Sequence, residues 1–329
     1  MPNTELIEQF DGLKALVIGD VMLDAYAMGV IERMSPEAPV PIVNVNRRFM
    51  RLGGAANVAL NLKSLGAIPT VCSVVGDDQP GKELVRMFGE EDLSVEGIIH
   101  SHNRVTTVKH RIFNGDKQVL RVDEEDCSDL SQEEQTYLFH LIDQLLKRHS
   151  YNIIVLQDYN KGVLTAWMIE NIIALAKRLN IPVAVDPKKK NFFAYQGVTL
   201  FKPNAKELRD GLDVDAETIE MLQKTAMQLK ERLHCQYLMV TLSERGVLIL
   251  DGSQALHLPA HPRTIVDVSG AGDTVLSVAA LCVALRRDTR TIASLSNLAG
   301  GLVCETVGVT PISKEQLKHA MELLPNGQD

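Results

Sequence analysis

Short apolar runs alternate with longer amphipathic ones along most of this chain, and that alternation limits its fold more than any other feature. The runs "KALVIGD" (14–20), "PTVCSVVGDD" (69–78), "NIIVLQDY" (152–159), "IPVAVDP" (181–187), "TLFKPN" (199–204) and "YLMVTLSERGVLIL" (237–250) read as strands. Between them "GAANVALNLKSLGA", "PGKELVRMFGEEDL", "SQEEQTYLFHLIDQLLKR", "TAWMIENIIALAKRLN" and "ETIEMLQKTAMQLKERL" carry apolar residues at three- and four-residue steps, the period of a helix face. The pattern predicts an α/β fold, a mostly parallel central sheet with helices on both faces. Ligands of such sheets bind beyond the carboxyl ends of the strands, so strand-end acids and loops are where chemistry is expected.

Two segments break the alternation. Residues 25–51 carry Pro36, Pro39 and Pro41 and a short alternating run, and residues 104–122 read as two strands joined at Asn114-Gly115, a pair suited to a type I′ turn. These segments are expected to pair into a small sheet that projects like a lid. A sheet apolar on both faces must cover a ligand, a partner subunit or both, so a homodimer through the lid is expected. With no repeat, low-complexity segment or linker, residues 1–329 read as a single domain.

Composition narrows the function. The chain is 45% hydrophobic and 23% charged, with a net charge of −8, unlike the basic footprint of a nucleic-acid binder. A small anion could still be held by a local cluster such as "PKKKN". No apolar run approaches the ~20 residues of a membrane span, and the N-terminus lacks the build of a secretory signal. Cys72, Cys127, Cys235, Cys282 and Cys304 form no C-x-x-C pair, which implies free buried thiols in a reducing cytoplasm. His100 and His102 have no partner at zinc-site spacing.

The segment "DVSGAGDTV" (267–275) begins a helix with almost no side chain and one carboxylate. Backbone N–H groups at a helix start carry the positive end of its dipole, and glycines let an anion approach them closely. Gly270, Ala271 and Gly272 would form an anion cradle, with Asp273 placed to take the proton of an acceptor hydroxyl. That pairing is what phosphoryl transfer to an alcohol requires. A glycine turn with Asp273 as an ordinary cap fits this segment equally well. "KPNAKEL" offers Asn204 and Glu207 one helical turn apart, able to hold a hydrated Mg²⁺ against phosphates or simply to cap a helix. No G-x-x-x-x-G-K-[ST] loop and no G-x-G-x-x-G after a strand occur, which disfavours P-loop enzymes and dinucleotide dehydrogenases.

With these residues in view the chain resembles a known family. "GGAANVALNLKSLGA" (53–67) and "DVSGAGDTVLSVAAL" (267–281) are similar to the two signature segments of the ribokinase-like, pfkB-type carbohydrate kinases. "KPNAKE" resembles their N-x-x-E magnesium element, and "TLSERG" (241–246) resembles their nucleotide-phosphate loop, with Ser243 where many relatives have glycine. The matches keep the family's order over nearly the whole chain. "GDVMLDAYAMGVIERMSPEAPVPIVNV" (19–45), "QDYNKGVL" (157–164) and "VDPKKKNF" (185–192) resemble the members that phosphorylate D-glycero-β-D-manno-heptose 7-phosphate at its anomeric hydroxyl, for ADP-heptose and lipopolysaccharide synthesis. Many such members carry a fused adenylyltransferase. This chain ends near "PNGQD" with no H-x-G-H motif, so the resemblance implies the kinase alone.

The resemblance implies roles for particular residues. Asp273 would be the general base and the amides of 270–273 the anion hole. Asp24, Gly53, Gly54, Asn57 and Asp158 would meet the sugar. Lys188 is the first choice for the 7-phosphate, with Arg104, Lys109, Arg121 and Lys161 as further cations. ATP would be held by Asn204, Glu207, Thr241, Ser243 and Gly246, and its adenine by Asn297, Gly300, Val303 and Gly308. The implied cofactors are ATP and Mg²⁺, with K⁺ at Asp267 as in several relatives. The alternatives are a kinase of ribose, fructose or fructose 1-phosphate, and a non-catalytic sugar-binding regulator of the same fold.

Overall fold

The structure, a computed structural model, describes residues 5–261, 263–306 and 308–323. The terminal "PNGQD" lies outside them. In chain order the first elements are α1 (Glu5–Glu8), β1 (Lys14–Gly19), β2 (Val21–Met34), β3 (Pro41–Gly54), α2 (Ala55–Ser64), β4 (Ile68–Gly76), α3 (Gln79–Glu90) and β5 (Ile98–Ser101). The middle holds β6 (Val108–Asn114), β7 (Lys117–Glu124), α4 (Gln132–Arg148), β8 (Ile153–Gln157), α5 (Ala166–Leu179), β9 (Val183–Asp186) and β10 (Leu200–Phe201). The last part holds α6 (Ala205–Leu212), α7 (Ile219–Leu233), β11 (Tyr237–Thr241), β12 (Val247–Asp251), β13 (Gln254–Leu258), α8 (Ala271–Ala284), α9 (Thr289–Val303) and α10 (Lys314–Glu322).

Among the described residues, nine strands form one sheet in the order β13-β12-β11-β10-β9-β8-β1-β4-β5, parallel except where β12 pairs with β11 and β13. The run at 237–250, expected as one strand, is a hairpin: Ser243–Arg245 turns between β11 and β12. β5 and β13 lie outside the strands expected from sequence. β1 is apolar on both faces, with Ala15 and Val17 in one core and Leu16 and Ile18 in the other. That is the pattern of a strand covered twice. α2, α8 and α9 supply the first core, and α4, α5 and α7 the second. Asp273 through Val283 are all buried, so α8 is a central helix rather than a surface one.

β1 pairs with β4 on one side and β8 on the other, which makes the β1/β8 boundary a switch point of strand order. A crevice opens at the carboxyl ends of such neighbours. β2 leaves β1 almost at once and forms a long hairpin with β3, then pairs in parallel with β6, giving a second sheet ordered β3-β2-β6-β7. This is the expected small separate sheet, with longer strands than the sequence suggested. Its second hairpin turns one residue later than expected: Asn114 pairs with Lys117, and Gly115, at φ 59°, takes the first central position. A glycine there fits a type II′ turn. Asn114 is drawn away from the turn because its side-chain oxygen accepts from Ile31 N at 3.0 Å.

Four of the cysteines are buried, but Cys127 is exposed, which corrects the expectation of five buried thiols. No helix of the described residues is long and apolar enough to cross a membrane.

Candidate active site

Gly270 begins α8 at φ 81°, a left-handed conformation that a side chain would strain. A Cβ on Gly272 would meet only ordinary van der Waals contacts, Asp186 Oδ2 and Lys202 Nζ at 3.8 Å. Asp273 sits one residue further into the first turn and is 5% exposed. Its Oδ2 accepts from Asn57 Nδ2 at 2.7 Å, and its Oδ1 accepts from Tyr159 OH at 3.0 Å and Gln157 Nε2 at 3.2 Å. Burial, reinforced by Asp186, pushes its carboxyl up to about 6, against the opposing bonds from Asn57 and Tyr159 and the charge of Lys202. A weak carboxylate is thereby tuned toward the range of a working base. The cap position of α8 is Gly270, and the Asp273 carboxylate is met by side chains from α2, β8 and the loop after β8.

Asn57 is held in turn. Asn61 Nδ2 donates to the Asn57 carbonyl at 2.9 Å, and Thr274 Oγ1 donates to Asn61 Oδ1 at 2.9 Å, locking α2 to α8. Gly53 and Gly54 lead into α2 where no Cβ fits: one on Gly53 would lie 2.4 Å from Asp24 Oδ2, and one on Gly54 2.3 Å from the Asp20 carbonyl. Asp24 is buried and accepts from Arg111 NH2 at 2.7 Å. Asp24 pairs with Lys109, and Tyr26 with Arg111, across β2 and β6, so period two places both cations on the face that bears Asp24.

On the other side of Asp273, Lys188 pairs with Glu207. Burial pulls its ammonium down, but Asp186, Glu207 and Asp273 outweigh that and hold it above its ordinary value. Asn204 and Glu207 form a capping box on α6: Glu207 N donates to Asn204 Oδ1, and Asn204 N to Glu207 Oε2, both at 2.8 Å. Asn204 also bridges to Thr241, which brings the N-x-x-E element and the Ser243 turn together. Ser243 itself sits at φ 54°, and Gly246 at φ 88° has Leu258 O where a Cβ would go.

The remaining expected residues are placed elsewhere. Asp158 turns from the crevice toward Tyr195 OH at 2.8 Å, and burial followed by Asp20 raises it to about 6. Arg104 donates to the Lys161 carbonyl, and Lys161 pairs with Glu125 at 2.7 Å at the foot of the lid. Arg121 is half exposed and pairs with Asp123 at 3.0 Å. Asn297 donates to Pro259 O at 2.8 Å, a Cβ on Gly300 would lie 2.6 Å from Val275, and Val303 is buried. Asp267 accepts from Ser269 N at 2.9 Å and Gly308 N at 2.8 Å, tying the loop before α8 to the loop after α9.

Sequence reasoning missed Gln157, Tyr159, Asp186, Lys202 and Arg111. Four of them stand at or just past the carboxyl ends of β8, β9 and β10, the position that marks function in such sheets. Arg111 had the two-residue step from Lys109 as its signal.

Among the described residues, no three His, Cys, Asp or Glu side chains gather into a metal-holding group. A Mg²⁺ that keeps its waters and rides on nucleotide phosphates needs fewer. Asp186 Oδ1, buried and without a hydrogen-bond partner among the described residues, is a hard oxygen of the kind it takes, next to the cradle. Glu207 offers a second carboxylate there, its oxygens now met by Lys188 and Asn204 N.

Residues 13–316 match the model of the pfkB family carbohydrate kinases. The bifunctional protein HldE of Pelobacter propionicus is 39% identical over 315 residues, covering 95% of this chain and 64% of that protein. HldE of Campylobacter jejuni is 41% identical over 305 residues, 93% of this chain and 64% of that protein. The chain thus spans about two-thirds or less of the length of these relatives. Phosphofructokinase-2 from Escherichia coli in complex with potassium superposes with a TM-score of 0.80 at 19% identity, covering 95% of this chain and 98% of that one. The Arabidopsis thaliana ribokinase with ribose and ATP gives 0.75 at 15% identity, covering 95% and 99%. These structures share the ribokinase-like fold, and on the family match this chain belongs to the pfkB family of carbohydrate kinases.

Proposed function

We propose that this chain transfers the γ-phosphoryl group of ATP to the anomeric hydroxyl of D-glycero-β-D-manno-heptose 7-phosphate, giving the 1,7-bisphosphate and ADP. The observation that carries the kinase chemistry is the buried Asp273 at the N-terminus of α8, held by Asn57 and Tyr159 with its carboxyl raised to about 6. Asp273 takes the proton of the acceptor hydroxyl, the alkoxide oxygen bonds to the γ-phosphorus, and the bond to the ADP oxygen breaks. The amides of 270–273 hold the charge that builds on the transferring group, each such donor being worth roughly 3 kcal/mol of barrier. Mg²⁺, when bound, supplies further neutralisation of phosphate charge, and Asp186 and Glu207 are the residues proposed to orient it. Asp267 is the proposed K⁺ ligand.

Lys188 faces Glu207 and Asp186, which supports a role on the nucleotide side of the crevice. The far end of the sugar then falls to the lid cations Arg111 and Lys109, beside Asp24. The heptose itself rests on the resemblance of residues 19–45, 157–164 and 185–192 to heptose-phosphate kinases. We further propose a cytoplasmic homodimer through the lid sheet, supported by the exposed Val119, Leu120 and Val122 of β7.

The test is ADP release from Mg-ATP with the heptose 7-phosphate, against ribose, fructose and fructose 1-phosphate. Turnover with another acceptor alone removes the heptose and keeps the chemistry. Tight sugar binding without turnover on any of these acceptors would leave the non-catalytic regulator.

A further inference from the structure

We propose that Tyr159 is a positioning residue that fixes which oxygen of Asp273 meets the acceptor hydroxyl. A carboxylate oxygen offers about two lone pairs for hydrogen bonding. Oδ1 of Asp273 already accepts from Tyr159 OH at 3.0 Å and from Gln157 Nε2 at 3.2 Å, whereas Oδ2 accepts only from Asn57 at 2.7 Å among the described residues. Oδ1 is filled and Oδ2 keeps one lone pair, so the proton of the acceptor arrives at Oδ2. Gln157 is wholly buried at the end of β8 and cannot give way. Tyr159 is only part-buried, in contrast to Gln157.

Tyr159 is itself held at three further points. Its backbone N–H donates to Asp20 Oδ2 at 2.8 Å. Its ring centroid lies 5.2 Å from Lys109 Nζ, which belongs to the lid, and 5.4 Å from Lys188 Nζ, which belongs to the core. Ammonium groups at that range are attracted to the ring's negative face. The ring is therefore gripped from both sheets, and the hydroxyl carries that alignment to the base. Desolvation, followed by the adjacent Asp273 charge, holds the phenol far above its ordinary value, so it stays a donor at any working pH.

The inference rests on Asp273 being the base, and its test does not need turnover. The charged groups facing Asp273 are Asp186, Lys202 and Lys188, with Tyr159 as the titratable donor. In Tyr159→Phe the ring and its cation contacts remain and one donor to the carboxylate is lost. A bond that favours the charged form is removed, so the Asp273 carboxyl carbon, followed by NMR in the substrate-free protein and assigned with Asp273→Asn, titrates about one unit higher. In turnover, kcat falls about tenfold, the acid limb of its pH profile moves up by the same amount, and KM for ATP and sugar phosphate stays within about twofold.

An unmoved titration midpoint in Tyr159→Phe overturns the proposal. So does an unmoved midpoint with a raised KM for the sugar phosphate alone, which would make Tyr159 a ligand contact. If Tyr159→Phe does not fold, 3-fluorotyrosine at position 159 keeps the shape with a stronger donor, and the midpoint must then fall. Turnover that survives Asp273→Asn removes the base assignment instead, and the NMR titration separates the two failures.

Discussion

Asn57 Nδ2 and Asp273 Oδ2 meet at 2.7 Å, 216 residues apart in the chain, and this bond joins the two glycine-led helices α2 and α8 into one site. Each helix starts at a glycine that supplies no side-chain cap. Together they bury a carboxylate whose charge is costly and whose donors are all supplied from elsewhere in the fold.

Replacing that carboxylate gives opposite results for activity and stability. Asp273→Asn removes the proposed base, and ADP release should drop by about 10³-fold or more. The carboxyl rises from 3.8 in the unfolded chain to about 6 in the folded one. The folded state therefore binds the proton more tightly, and wild type loses stability as pH rises through that window, by up to roughly 3 kcal/mol. The neutral variant lacks this loss, so its Tm relative to wild type should climb between pH 4 and pH 7. A constant difference across that range would refute the raised carboxyl.

Gly272→Ala isolates the cradle. The added Cβ has room, with its nearest neighbours at 3.8 Å, so the fold should stand with unchanged or slightly higher Tm. The methyl group then occupies the space proposed for an anion, and kcat should fall by about 10²-fold. A fully active variant would show that the transferring group lies elsewhere.

At Ser243 the strain is local. A serine at φ 54° adopts a conformation that glycine takes freely. Ser243→Gly should raise Tm by about 1–2 °C and leave KM for ATP within about twofold. A large rise in KM would instead assign the hydroxyl a phosphate contact.

For the sugar end the informative residue is Arg111. Its pair with Asp24 is nearly buried, with side-chain exposures of 16% and 5%. Arg111→Lys keeps the charge and loses the planar fork, and KM for the sugar phosphate should rise about tenfold with KM for ATP unchanged. Equal changes in both constants would place Arg111 in the lid's structure alone.

The sequence by itself determined the layered α/β fold, because apolar period and turn residues are local properties that strand and helix obey alike. It also singled out the proposed cradle and base, because Gly270, Gly272 and Asp273 are contiguous and the chemistry expected of them follows from a helix start. Only the tertiary structure decided which way the longer side chains turn. Asp158 and Tyr159 are neighbours at the end of one strand, yet Asp158 points to Tyr195 and Tyr159 to Asp273. Lys188 could have turned to several partners, and Glu207 and Asp186 hold it. A charged side chain takes its place from partners that are distant in sequence, and those partners exist only once the sheet has brought its strand ends together.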